Sequence, residues 1–599
     1  MQGGIPEKPK KIKSLEYRYD SFENGQVLLQ KKKHLPAMGW NSWNAFGSGN
    51  TEELTRAMAD AMLELGLDRL GYQYLVLDDG CYRSERVDGR LANEPVKFPH
   101  GFRALAEELH AKGLKFGMYN DIGTNLCAGA RVGTCGYEAA DAESYAEWQI
   151  DFLKVDNCYY LWDNATFSDA KNARYVYAPR VKKIRLTGAG TEVELSAVLD
   201  GRLTGQGAKK QGDYVTNLGT FDGTGPEPSP VGEQSGELEF SVHLPKAGEY
   251  QLFITYATGQ EPGVGSWIQG ATGKKEQTTV FYDDVLPETE HPEQFRESAP
   301  IPVFLQAGDN VLRLMNHRRQ ENTLDSYATL LEELNRAAPG RDIVFSICEW
   351  GKTQPQNWGY KVGDSWRILN DITFRVGSDG DPGMGAWEDS YTPSVTSQYN
   401  KAVIMDEFSG LHRGWNDPDM LMVGMNGLTE VMCRTHFTMW CMMNAPLMLG
   451  LDLRRVKKGD SIFRIIANEK LIRLNQDPLG VQAKRVFCSL AKEHPDTSYI
   501  TDNNRVDILA KPLADGGIAV SFLNISGEKK GSYSVSAAEL AHALKQKRKG
   551  QTAFVCEAYR VEDLWTGECR EDRTGLFGVT MLEPYDAVTL RITPLPEQP

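Results

Sequence analysis

No stretch of the 599 residues is apolar for long enough to span a bilayer, and residues 1–20, polar and rich in Pro and Lys, hold no apolar core of an export signal. Their absence leads us to expect a cytoplasmic chain with no membrane partner. An excess of positive charge is also missing: 66 Lys and Arg against 81 Asp and Glu leave a formal charge of −15. Phosphate backbones would be repelled, so no nucleic-acid partner is expected. The basic clusters at 8–13, 31–33 and 545–549 are short and far apart and read as solvated turns and helix ends. Ten cysteines are scattered with no CxxC and no Cys/His ligand spacing, which speaks for reduced thiols rather than a disulfide scaffold or a zinc site. There is no phosphate-binding glycine loop, no solenoid repeat and no low-complexity tract. What remains, 41% hydrophobic and 25% charged, is an ordinary globular composition long enough for about two to four domains.

From residue 35 onward, strand-like and helix-like stretches take turns, as in a parallel sheet wrapped by helices. Strands are expected at 35–44, 72–79, 115–121 and 152–157, with helices at 52–66, 101–112 and 142–150 between them. The rhythm breaks between about 177 and 322, where short alternating runs in Gly/Thr-rich sequence indicate an inserted β-sandwich. It resumes with a helix at 326–335 and strands at 343–349, 365–371, 414–422 and 446–452, with helices at 428–443 and 461–474. The expected fold is therefore α/β: a (β/α)8 TIM barrel interrupted by an inserted β-sandwich and followed by a C-terminal antiparallel β-sandwich domain with one helix near 537–547. The corresponding domains are an N-terminal extension at 1–34, the barrel at 35–176 and 323–477, the insertion at 177–322 and the C-terminal domain at 478–599.

The run 152–156, FLKVD, is apolar, β-prone and ends abruptly in a carboxylate, the pattern of a buried strand that delivers a side chain to a barrel rim. An Asp in such a place is also a common turn former or cap. Collecting the residues at all expected strand ends gives Trp40, Trp43, Asp78, Asp79, Tyr119, Asp121, Lys154, Asp156, Cys348, Glu349, Trp350, Trp366, Arg367, Asp371, Trp415, Asp417, Asp419 and Met420. A bowl of many carboxylates, several indoles and one or two cations suits a sugar, whose hydroxyls need acceptors and donors while its C–H face stacks on a ring. The same carboxylates could hold Mg²⁺. Asp417, followed by Pro418, is the first candidate for a mere turn residue.

The segments 38–44 (MGWNSWN), Asp78 with Asp79, 117–119 (GMY), 153–158 (LKVDNC), 346–351 (SICEWG), 365–367 (SWR) with Asp371, 414–420 (GWNDPDM) and 475–480 (NQDPLG) together resemble glycoside hydrolase family 27, the α-galactosidases. The resemblance implies that Asp156 is the nucleophile and Asp371 the general acid/base. It implies that Trp43, Asp78, Asp79, Tyr119, Lys154, Cys348, Glu349, Trp350, Arg367, Asp419 and Met420 line a galactose pocket, that the substrate is a small glycoside or oligosaccharide, and that no cofactor or metal is needed. Self-association is left open. Retaining glycosidases hold their two carboxylates about 5 to 5.5 Å apart, one attacking the anomeric carbon and the other protonating the leaving oxygen. Lys154 lies two residues before Asp156, on the same strand face, and its charge is expected to keep Asp156 ionised.

Two features depart from relatives or extend them. Gly80 stands between the Asp pair and Cys81, and 46–49 (FGSG) holds no cysteine, so the bridge that many relatives make there has no counterpart and the loop is held differently. Cys127 and Cys158 do match a pair that is bridged in relatives. Segments 247–256, 305–314 and 324–325 resemble β-sandwich carbohydrate-binding modules of families 35 and 6, with 263–267 as a candidate binding loop or lid. Alternatives to the α-galactosidase reading are an α-N-acetylgalactosaminidase, which Glu349 and Trp350 would crowd, a β-L-arabinopyranosidase, and a sugar-binding protein without catalysis.

Overall fold

The computed structural model describes residues 34–596 apart from 124, 159–178, 205–207, 217, 219–236, 258–265, 276–277, 288, 292, 317, 352–354, 390–392, 549 and 552. The expected extension at 1–33, the start of the insertion at 177–178 and most of the candidate loop at 263–267 lie outside the described residues. Eight parallel strands form one curled sheet: β1 (Met38–Asn41), β2 (Tyr74–Val76), β3 (Lys115–Asp121), β4 (Phe152–Asp156), β5 (Val344–Cys348), β6 (Ser365–Arg367), β7 (Trp415–Asp417) and β8 (Leu447–Leu449). Each pairs with its sequence neighbour from β1 to β7, and β8 pairs with β1. The ring closes where Leu421, just past β7, bridges Leu449 of β8. This is the (β/α)8 barrel the alternation implies.

The local chemistry follows the expected rules. The helix Glu52–Leu65 begins where Thr51 Oγ1 accepts the Leu54 N–H (3.1 Å) and ends at Gly66, whose φ of 76° a side chain would disfavour. Tyr74, Val76, Phe152, Val344, Met420 and Met448 make a separate apolar cluster from β2, β4, β5, β8 and the segment after β7. A larger core lies between strands and helices and includes Leu75, Met118, Leu153 and Phe345, so successive strand residues alternate between the two packings.

Several boundaries differ from expectation for one reason: the barrel strands are short and the chain turns at once at their carboxyl ends. The run 35–44 is strand only over Met38–Asn41 and then becomes the helix Ser42–Phe46, which carries Trp43. The expected helix at 461–474 is two, Ser461–Ile466 and Glu469–Asn475. The helix after β6, Val395–Ala402, had no counterpart in the sequence reading.

Between β4 and β5 the described strands run from Arg180 to Asn316 and form two antiparallel sheets around their own core, including Val181, Ile184, Leu238, Phe240, Tyr250, Ile254 and Leu312. The barrel resumes with the helix Arg318–Ala337. Beyond it, six antiparallel strands and a two-stranded ribbon form the C-terminal sandwich, with the helix Ala537–Ala543 against it.

Candidate active site

The sugar-site candidates cluster at the carboxyl ends of the barrel strands, and the contacts among them begin at β1. Asn41 caps the following helix by accepting the Trp43 N–H (2.9 Å) and donates through Nδ2 to Asp78 Oδ2 (2.8 Å). Ser42 Oγ accepts the Asp78 N–H (2.9 Å). Lys154, from β4, places its ammonium on the same Asp78 oxygen (2.8 Å). Its nearest carboxylate is thus Asp78 rather than Asp156, and it acts on Asp156 through space.

Asp79 is 3% exposed; its Oδ2 accepts the Ala128 N–H (2.7 Å), whereas its Oδ1 is buried without a hydrogen-bond partner. Burial, helped by the Asp78 charge, pushes its pKa up to about 6 against the pull of the Ala128 and Gly80 N–H groups. A buried carboxylate oxygen in this state is an acceptor awaiting a donor.

Asp156 ends β4 and is 4% exposed. Tyr119 donates its hydroxyl to Asp156 Oδ2 (2.9 Å). Cys127 and Cys158 are bonded to one another, and Cys127 Sγ lies 3.4 Å from the same oxygen. Burial raises the Asp156 pKa; the Lys154 charge and hydrogen bonds from Cys348 and Tyr119 oppose that rise. Across the ladder, Cys348 of β5 is the register partner of Asp156.

On the far side, Arg367 of β6 is 2% exposed and gathers three side chains, Asp419 Oδ2 (2.8 Å), Asp371 Oδ1 (3.1 Å) and Cys348 Sγ (3.7 Å), besides the Leu369 carbonyl (3.2 Å). Asp419 also accepts the Ile372 N–H (2.8 Å), which ties the segment after β7 to the one that carries Asp371. Asp371 is the most open of these carboxylates, with 27% of its side chain exposed. Loss of surrounding water nevertheless raises its pKa to about 6, because the Asp419 and Asp156 charges reinforce burial and Arg367 only partly offsets it. Asp156 and Asp371 are thus coupled electrostatically and joined through Cys348 and Arg367.

Some expected members sit differently. Glu349 is fully buried, and its charge acts on the buried Lys401. Trp350 follows with φ 59°, and Asp419 has φ 75°, left-handed conformations that cost about 1–3 kcal/mol each and turn the chain sharply past β5 and β7. Met420 packs with Trp43 in the small apolar cluster. Trp40, Trp366 and Trp415 are fully buried, and their indole N–H groups donate to Leu451 O, Asn416 Oδ1 and His34 O, so they belong to the scaffold. Asp417 makes the expected turn, its side chain accepting the Asp419 N–H across Pro418 (2.8 Å), and loss of surrounding water raises its pKa to about 6. It lines a small cavity with Asn41, Lys154, Ser346, Arg367 and Asp419. Asn41 was missed, although a polar residue ending the run MGWN was a readable signal.

For a cation, the ligand atoms of Asp121, Cys127, Asp156 and Cys158 all lie within 4.8 Å of one another. The set does not fit one: Asp121 accepts the N–H groups of Gly123 (2.6 Å) and Cys158 (2.7 Å), and the two sulfurs are bonded together.

A (β/α)8 barrel with buried, electrostatically coupled carboxylates at its strand ends, two cations among them and a C-terminal β-sandwich defines a glycoside hydrolase. The chain belongs to the alpha galactosidase A family, whose model matches residues 35–178 and 303–477; the alpha galactosidase C-terminal beta sandwich domain matches 503–592. It is 27% identical to an alpha-galactosidase A of Cellvibrio japonicus over 579 residues, 95% of each chain. It is also 27% identical to an alpha-galactosidase of Cyamopsis tetragonoloba over 496 residues, 82% of this chain and 74% of that one. The solved alpha-galactosidase of Saccharomyces cerevisiae superimposes with a TM-score of 0.58 at 19% identity, covering 95% of this chain and all of that one, a likeness of fold.

Proposed function

We propose that the protein is a retaining α-galactosidase that releases terminal α-linked D-galactose from small glycosides or oligosaccharides by double displacement. The observation that carries this reading is a pair of acids at the strand ends, Asp156 and Asp371, each feeling the other's charge. At Asp156 burial raises the pKa, and Lys154, Cys348 and Tyr119 oppose that rise and favour the ionised form that a nucleophile needs. At Asp371 the balance leaves a pKa of about 6, so the group holds a proton in mildly acidic solution and can deliver it to the leaving oxygen. After the glycosyl group has moved to Asp156, the Asp371 carboxylate takes a proton from water, which attacks the anomeric carbon and regenerates the free acid. Asp78, Asp79 and Lys154 would receive the hydroxyls at the far end of the ring, with the unpartnered Oδ1 of Asp79 as one acceptor. Trp43, Trp350 and Met420 would cover its apolar face.

Rates on nitrophenyl α-galactoside, its 2-acetamido analogue and nitrophenyl β-L-arabinopyranoside test the assignment. The first should be cleaved fastest, with retained configuration in the initial product; preference for either of the others would overturn it.

For the domains we propose the barrel at 35–176 and 323–477, a carbohydrate-binding-module-like insertion at 177–322 and a C-terminal domain at 478–599, supported for the insertion by its separate apolar core. Deleting 177–322 should lower activity on oligosaccharides more than on the nitrophenyl glycoside. The cytoplasm is the proposed compartment, on the buried thiols of Cys81, Cys348, Cys433, Cys441 and Cys488. The Cys127–Cys158 bridge is the feature of an oxidising one, and alkylation of thiols before cell lysis decides between them.

A further inference from the structure

Asn41 and Ser42 tie the end of β1 to Asp78, and farther out the loop after β1 and the loop after β2 approach each other again, at Ser48 and Gly80. Gly80 directly follows Asp79 with φ 98°, and a Cβ there would meet the Ser48 backbone at 2.7 Å. Two carbonyls, Ser48 O and Gly80 O, are turned toward one ammonium: Lys97 Nζ donates to the first at 2.6 Å and to the second at 3.0 Å. Lys97 is itself fixed in the chain. Its N–H donates to Glu94 Oε2 (2.7 Å), its carbonyl accepts the N–H of Glu52 at the start of the helix Glu52–Leu65 (2.9 Å), and the Glu94 N–H donates to Cys81 O (2.9 Å). A cation held at both ends of its backbone and donating to two carbonyls sets a distance between them, because charge-assisted hydrogen bonds are short and directional.

We propose that Lys97 is a positioning residue of the sugar pocket: by clamping Ser48 O and Gly80 O it sets the separation between the segment that carries Trp43 and the turn that carries Asp79. The inference rests on the α-galactosidase reading and says which feature outside the pocket keeps the acceptor Oδ1 of Asp79 in place. Asp79 touches the part of the ring away from the bond being broken, so its displacement weakens binding of substrate and of free galactose alike and leaves the chemical step largely alone.

The test compares wild type, Lys97→Met and Lys97→Arg on nitrophenyl α-galactoside, with free galactose as inhibitor and a urea titration for stability. Lys97→Met should raise KM and the galactose inhibition constant together by roughly tenfold, the scale of one charge-assisted hydrogen bond, with kcat within about twofold. Lys97→Arg, whose guanidinium also reaches two carbonyls, should recover most of both. Gly80→Ala perturbs the same spacing without touching the cation and should shift both constants in the same direction. Unchanged KM and inhibition constant in Lys97→Met, a loss accounted for entirely by a lower folded fraction, or failure of arginine to rescue would overturn the proposal. A wild-type protein that neither cleaves the glycoside nor binds galactose sinks the functional reading; an active wild type matched by Lys97→Met sinks only this inference.

Discussion

Among the described residues, two buried clusters of charge are built from nearly the same side chains. One is the strand-end site. The other lies where the barrel helix Val395–Ala402 meets the C-terminal sheet: Arg485, Arg505 and Asp507 are all fully buried. Asp507 Oδ2 there accepts from Arg505 Nε (3.1 Å), Arg485 Nη1 (3.4 Å) and the Tyr399 hydroxyl (3.0 Å), and Arg505 donates on to Asn400 Oδ1 (2.5 Å). Both clusters therefore set a Tyr hydroxyl and cations around a buried Asp. They differ in the balance of charge. Two guanidiniums face one carboxylate in the sealed cluster, and although burial would raise the Asp507 pKa, Arg505 and Arg485 overcome it and hold it below its ordinary value. At the strand ends Lys154 and Arg367 face Asp78, Asp79, Asp156, Asp371 and Asp419, and there burial wins at Asp79, Asp156 and Asp371. Burial makes a structural lock where cations outnumber the carboxylate. Where carboxylates are in excess it leaves groups poised to exchange protons and to face the positive charge that grows on a sugar ring.

The sharpest way to break that comparison is to remove Asp156, the proposed nucleophile. Asp156→Asn should lower kcat on nitrophenyl α-galactoside by about a thousandfold or more, and its thermal midpoint should equal or exceed that of wild type, because the deleted charge was disfavoured by burial. A stable variant that turns over normally would refute the site.

Asp371→Asn comes next. In wild type, activity should fall as pH rises through about 6, since the acid form of Asp371 is the active one and is lost above its pKa. The variant should lose that limb, and its rate should drop by roughly 10²- to 10⁴-fold on melibiose, whose leaving oxygen needs protonation, and by less on the activated nitrophenyl glycoside. A pH–rate profile unchanged by the substitution would assign the proton elsewhere.

In the sealed cluster the expected effect falls on stability. Asp507→Asn strands two buried guanidiniums and should cost about 3–5 kcal/mol in urea unfolding, with kcat per folded molecule unchanged. The sign with pH follows from the depressed folded pKa: the contribution of Asp507 is present above its ordinary value of 3.8 and lost as pH falls through the lower folded value, so the variant's deficit should shrink in acid. A loss of kcat would mean that the two clusters are coupled.

The strand-end site was largely legible in the sequence because its residues follow short apolar runs directly, and a parallel barrel brings all such ends to one face. Segments such as FLKVD and MGWN announce themselves without knowledge of their neighbours. The sealed cluster was not legible: Tyr399, Arg485, Arg505 and Asp507 come from segments that no local pattern connects. The helix Val395–Ala402 escaped for a related reason. Its sequence, VTSQYNKA, lacks an apolar stripe because all eight residues are buried, and Ser394 starts it through a capping box with Ser397. Strand ends were drawn too long at 343–349 and 414–422 because a run of β-prone residues does not reveal that Trp350 and Asp419 turn the chain with positive φ. Asp417 reads as a turn former beside Pro418 and is one, accepting the Asp419 N–H; that the same residue lines the small strand-end cavity is visible only in the fold.

The finest distinction between the clusters lies in what each Tyr does. Tyr399 is one of three donors to Asp507 Oδ2, two of them cationic, so losing it should leave the charge of Asp507 well satisfied. Tyr119 donates its hydroxyl directly to Asp156, the proposed nucleophile, whose nearest ammonium is engaged by Asp78. Tyr119→Phe removes a hydrogen bond that favours ionised Asp156, so the Asp156 pKa should rise and the acid limb of the pH–rate profile should move toward higher pH. At the optimum the rate should fall by about tenfold or less, the scale of one neutral-to-charged hydrogen bond. Tyr399→Phe should leave both limbs where they were. If Tyr119→Phe instead shifted the alkaline limb, the proton lost there would belong to a group that Tyr119 influences, and the assignment of that limb to Asp371 would have to be withdrawn.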